Sequence, residues 1–174
     1  MRRLLDTLYK LAGAIAALSI LGICLVVSTQ VMLNIVARIG GPGWSYTLPS
    51  YADFSGFFLA TATFMALAYT LRAGGHIRVN LLVGALPKRP RWLLELLTLT
   101  IGAVMAGYAT YYAALLLDES YRYGDMSTGI VAIPLWIPQI SMVAGLGLLT
   151  VAFVDTLVEA LIARAPVLTD EGME

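Results

Sequence analysis

Charge, histidine and cysteine are what this chain has least of. Charged residues fill 13% of its 174 positions, about half the usual share of roughly 25%. There is one histidine, His76, and one cysteine, Cys24. Metal and haem centres draw on several donors, so this inventory argues against both. Cys24 lies inside an apolar run, where it has no internal partner for a disulfide and reads as a small packed residue. Lysine and arginine form no run long enough for a nucleic-acid footprint, and the net charge is zero. No phosphate-binding loop, nucleophile elbow, HExxH pair or dinucleotide fingerprint occurs, so no cofactor is expected.

What the chain has is apolar surface. The hydrophobic set reaches 59%, with 16 glycines besides, against roughly 45–50% for the two together in a soluble domain. So few polar groups cannot cover a body of this size, and much of its solvent is lipid. Uncharged runs of 27 residues between Lys10 and Arg38, 18 between Asp53 and Arg72, 22 between Glu95 and Asp118, and 29 between Asp125 and Asp155 partition the chain. About 20 helical residues cross a hydrocarbon core of about 30 Å, and none of the runs alternates as a barrel strand would. The reading is an all-α integral membrane protein, a single membrane domain over 1–174 with four transmembrane helices near 11–37, 52–72, 92–117 and 134–160. The first apolar run outlasts the 7–15 residues of a signal-peptide core, so it is expected to stay as a span.

Positive charge is placed unevenly. Arg2, Arg3, Lys10, Arg72, Arg78, Lys88, Arg89, Arg91 and Arg164 fall on one side of the four runs, and only Arg38 and Arg122 on the other. This split places both termini and the 72–91 segment in the cytoplasm of a multi-pass inner-membrane protein. The outer segments carry Trp44, Tyr46, Tyr51, Tyr121, Tyr123 and Trp136, rings suited to the headgroup boundary. Asp118 and Glu119, adjacent in sequence, do not share a helix face and read as a solvated loop rather than an acid–base pair.

The stretch "LRAGGHIRVNLL" gathers the polar chemistry. Ile77, Leu81, Leu82, Ala85 and Leu86 recur near helical spacing, while His76, Arg78, Asn80 and Lys88 supply a polar side. A short cytoplasmic interfacial amphipathic helix over about 76–87 fits, begun after Gly74 and Gly75 and ended by Pro87 and Pro90. Arg72, His76, Arg78, Asn80, Lys88, Arg89 and Arg91 are the candidate contacts to lipid headgroups or to a second subunit. Within the spans the polar residues are uncharged, whereas a coupled carrier needs an intramembrane acid. Gly13/Ala17, Gly102/Ala106 and Ala103/Gly107, at spacing four, suit close helix packing, with Gln30, Asn34 and Gln139 available for interhelical bonds.

The segment "LRAGGHIRVNLLVGALPKRPRW" resembles the signature of the small, DctQ-like membrane subunit of tripartite ATP-independent periplasmic (TRAP) transporters, through Arg72, Gly75, His76, Ile77, Val79, Leu81, Leu86 and Pro87. "MSTGIVAIPLWIPQ" resembles that family's approach to the fourth span, through Ser127, Thr128, Ile133, Pro134 and Trp136. Asn80 stands where the family has an acid, and Asp53 stands alone where it often has a glutamate pair. The resemblance implies a non-catalytic scaffold subunit of a sodium-driven importer of organic acids. Its partners would be a periplasmic binding protein and a large permease subunit that holds sodium and substrate. Two other classes stay in view: a stand-alone four-helix carrier, disfavoured by the missing intramembrane acid, and the membrane anchor of a redox complex, disfavoured by the single histidine. An absorbance spectrum separates the last from the rest.

Overall fold

A computed structural model describes residues 2–73 and 87–163. It has four long helices, α1 (Arg2–Gly40), α2 (Tyr51–Arg72), α3 (Lys88–Tyr123) and α4 (Trp136–Ala163), with a 3-10 turn at Pro42–Trp44 between α1 and α2. All four are long and apolar enough to cross a membrane. Helix is the conformation that meets every backbone polar group within one segment, which lipid demands. Hydroxyl side chains follow the same logic: Thr29, Ser55, Thr63, Thr98 and Thr100 each donate to the carbonyl four residues back, at 2.7–2.8 Å. They are therefore tolerated on apolar helices. The expected interfacial helix over 76–87 lies outside the described residues apart from Pro87, which precedes α3.

Asp118 and Glu119 do not lie in a loop. Helix α3 carries them through its last turns to Tyr123, with Asp118 paired to Arg122 at 2.8 Å across one turn. The helix stops where Gly124 adopts the left-handed conformation, φ 66°, that glycine reaches without a side-chain penalty. At the start of α4, Pro138 sits in the first turn, where its missing N–H costs nothing.

The helices form a row rather than a closed bundle: α1 packs on α2, α2 on α4, and α4 on α3. The two end helices show it in their burial. On α1 the covered stripe runs through Leu5, Tyr9, Ala12, Ala16, Ser19, Ile23, Val26, Gln30, Leu33 and Ala37, alternating steps of four and three, with Gly13, Ile15 and Gly22 half-buried beside it. On α3 the covered stripe runs through Trp92, Leu96, Leu99, Ala103, Ala106, Thr110, Ala113, Leu117 and Ser120, again in steps of four and three, with Glu95, Gly102, Gly107 and Ala109 half-buried beside it. A single heptad seam along each is the mark of a helix with one packing neighbour.

Small residues set the seams. A β-carbon on Gly102 would overlap the ring of Phe153, and one on Gly145 would overlap the backbone carbonyl of Phe64. Gly13 lies against the ring of Tyr69, while Ala17, its partner by sequence spacing, is exposed. Polar cross-links reinforce the packing. Thr61 meets Ser141 at 3.1 Å, Thr110 meets Thr150 at 3.1 Å, and the Gln139 amide donates to Ser120 at 2.9 Å. Gln30 works differently from the expected interhelical bond: it donates to Asn34 on its own helix and accepts from the Leu48 N–H at 2.9 Å, which holds the turn after α1 against that helix. The Trp92 indole donates to the Ala160 carbonyl at 2.8 Å and ties α3 to α4. Trp92→Phe keeps the ring and deletes this bond, and the loss expected in thermal unfolding of the detergent-solubilised protein is about 1 kcal/mol.

Candidate functional site

The alternation of helix direction brings the start of α1, the end of α2, the start of α3 and the end of α4 to one end of the row. There Arg72, the last residue of α2, turns its guanidinium into a cluster of acids. One terminal nitrogen, Nη1, donates to Glu159 Oε2 at 3.0 Å and lies 3.7 Å from Asp155 Oδ2. The other, Nη2, lies 3.9 Å from Asp6 Oδ1 on α1. Arg72, Asp155 and Glu159 have side chains only about one-fifth exposed, whereas Asp6 is half exposed. The planar fork of arginine reaches two directions at once, which a lysine ammonium on one stem does not.

Thr156 completes the arrangement. Its hydroxyl hydrogen goes to the Ala152 carbonyl at 2.8 Å, so the oxygen faces Arg72 Nη1, 3.4 Å away, as an acceptor. Beneath the charges lie Tyr9, Ala68, Leu71 and Ala152, the buried apolar core of the three helices. The result is a clasp. One permanently charged side chain on α2 holds α1 on one flank and α4 on the other. Nothing in it is arranged as a nucleophile with a base, and among the described residues no group of three or more His, Cys, Asp and Glu is placed to hold a metal ion.

Of the candidate contacts read from the sequence, Arg72 is drawn into this clasp. Arg89 and Arg91 lie in the first turn of α3, Arg89 exposed and Arg91 half-buried, and Lys88 opens that helix. His76, Arg78 and Asn80 lie outside the described residues. Sequence reasoning missed Asp6, Asp155, Thr156 and Glu159 as partners of Arg72. A signal was present: Asp155 and Glu159 are four residues apart, hence on one helix face, at the end of a span that an antiparallel arrangement sets beside Arg72.

The opposite end is held by a loop. Ser50, at φ 56° before α2, does not cap its own helix. Its hydroxyl accepts from the Val131 N–H at 2.8 Å, which draws the segment between α3 and α4 over the start of α2. Gly129 packs so closely on the Asp53 carboxylate that a β-carbon there would overlap it. The Ser127 N–H donates to Ile133, the Leu135 N–H to Asp125, and Tyr121 stacks edge-on against Trp136 at 5.8 Å. Ser127 and Pro134, read above as part of the approach to the fourth span, thus belong to a folded turn.

No curated protein and no solved structure matches the chain. A family model does: the one described as tripartite ATP-independent periplasmic transporters, DctQ component, covers residues 23–163, which takes in all of α2, α3 and α4, the second half of α1 from Ile23 on, and Arg72, Asp155 and Glu159 of the clasp. With more than half of its length matched, and with four helices able to cross a membrane, the chain belongs to the DctQ family and is a small subunit of a TRAP transporter.

Proposed function

We propose that this subunit is a non-catalytic scaffold of a sodium-driven TRAP transporter that imports organic acids, and that the large permease subunit, not this chain, binds sodium and substrate. The observation that carries the reading is the open row: each end helix is covered along one face, so among the described residues the four helices do not close around a path for a solute. A row buries little on its own and gains most by lying against another membrane protein. In this reading the chain sits in the inner membrane with both termini and the Arg72 clasp on the cytoplasmic side, a placement that the nine-to-two split of positive charges supports. His76, Arg78, Asn80, Lys88, Arg89 and Arg91 then meet headgroups or the permease near the same surface, each basic contact being worth on the order of 1 kcal/mol beside anionic lipid.

Coexpression with the large permease, followed by purification through a tag on this chain, is expected to yield a complex that survives size exclusion in detergent. Reporter fusions at Gly43 and Gly124 are expected to give periplasmic signal, and fusions at Lys88 and at the C-terminus cytoplasmic signal. A subunit that elutes alone from cells holding the permease contradicts the scaffold reading. Periplasmic signal from Lys88 contradicts the orientation.

A further inference from the structure

The two ends of the row carry different chemistry at the same depth. Along α1 the exposed positions include Leu18, Leu21, Leu25 and Met32, beside Cys24, Ser28, Thr29 and Asn34, of which Thr29 and Asn34 are bonded within the helix, to Leu25 and Gln30. On α3 the outward positions include Tyr108, Tyr111 and Tyr112, which are 65%, 60% and 52% exposed. Their rings form one knot, with Tyr108 and Tyr112 centred 4.6 Å apart and Tyr111 meeting Tyr112 edge-on at 5.4 Å.

Depth makes this knot unusual. Trp92 at one end of α3 and the Tyr121–Trp136 pair at the other are the aromatic residues that suit the two headgroup levels. At a rise of about 1.5 Å per residue, Tyr108 stands about 24 Å from Trp92 and about 20 Å from Tyr121 along the helix. It is therefore close to the middle of the bilayer, with Tyr111 and Tyr112 one turn further out and still within hydrocarbon. A phenol left unpaired in hydrocarbon carries a desolvation cost, and a tyrosine near mid-membrane is too short to lift its hydroxyl to the headgroups. Among the described residues, the Tyr108 hydroxyl lies near that of Tyr112, a contact that leaves donor and acceptor capacity over. Lipid tails supply no partner. A transmembrane helix with free hydroxyl, amide or carbonyl groups does.

We infer that the α3 edge, through Tyr108, Tyr111 and Tyr112, is the face on which the large permease subunit docks, and that the α1 edge faces lipid. This rests on the scaffold reading above. The knot supplies broad, stiff contact area together with hydroxyls that find partners across the seam.

The test is photocrosslinking in the coexpressed complex. Tyr108 and Tyr111 are replaced one at a time by p-benzoylphenylalanine, and Leu18 and Leu25 of α1 likewise. Irradiation is expected to join the α3 variants to the permease and to leave the α1 variants unjoined. Tyr108→Phe and Tyr111→Phe are expected to weaken subunit association roughly threefold each. Adducts to the permease from α1 alone, adducts between two copies of this chain, or no adduct from α3 while the subunits still copurify would each overturn the docking face and leave the scaffold reading standing. Failure of the unaltered subunits to copurify would overturn both.

Discussion

Arg72→Leu is expected to cost about 3–5 kcal/mol of stability, the loss typical of breaking a largely buried ion pair from one side. The leucine deletes the guanidinium and leaves Asp155 and Glu159, each about one-fifth exposed, facing each other and Asp6 without the charge between them. It also removes the donor to Thr156, whose own hydrogen is committed to Ala152. Arg72→Lys should recover part of the loss through Glu159 at 3.0 Å and lose the reach to Asp6 at 3.9 Å. Asp6→Asn should cost less than about 1 kcal/mol, because that carboxylate is half exposed and its attraction is screened by water. Thermal unfolding in detergent ranks the three. An Asp6→Asn loss as large as that of Arg72→Leu would show that the clasp is not centred on α4.

Gly145→Ala and Gly147→Ala, the same substitution two residues apart, should diverge. The Gly145 position meets the backbone carbonyl of Phe64, which cannot rotate aside, so α2 and α4 must separate to admit a methyl group. A loss of about 3 kcal/mol, the upper end for overpacking in a tight core, is expected. Gly147 finds its nearest neighbour, the Thr110 methyl, at 3.8 Å, an ordinary van der Waals distance. There alanine should be neutral, or should stabilise by up to about 1 kcal/mol through its better helix propensity. Equal melting curves for the two variants would remove Gly145 as the point of closest approach.

The four helices were legible because lipid leaves the backbone few choices: an uncharged run long enough to cross has to be a helix, whatever it packs against. Neighbour relations were not legible in the same way. Spacing picked out Gly13, Gly102 and Ala106, which do face seams, but it also picked Ala17, which does not, and it passed over Gly145. A glycine is demanded by the atom opposite it, and that atom belongs to a helix about 80 residues away in sequence. Arg72 shows the same limit. Its value as a positive charge at a span end was visible, yet Asp6, Asp155 and Glu159 became its partners only once α1 and α4 were known to flank α2. The tyrosines of α3 look like any membrane aromatics until their depth along the helix is counted.

The order of the row bears on how the chain enters the bilayer. Helix α3 is made third, but the helix it packs on is α4, which also separates it from α2. The α1–α2 hairpin can close as soon as it leaves the ribosome. Helix α3 must wait for a partner whose last residue, Ala163, is translated about 40 residues after Tyr123, an interval of about 2–8 s at about 5–20 residues per second. During that interval Gly102, Thr110 and Ser120 have only lipid or the insertion machinery to lie against, so nascent chains arrested between α3 and α4 are the stage most exposed to quality-control proteolysis.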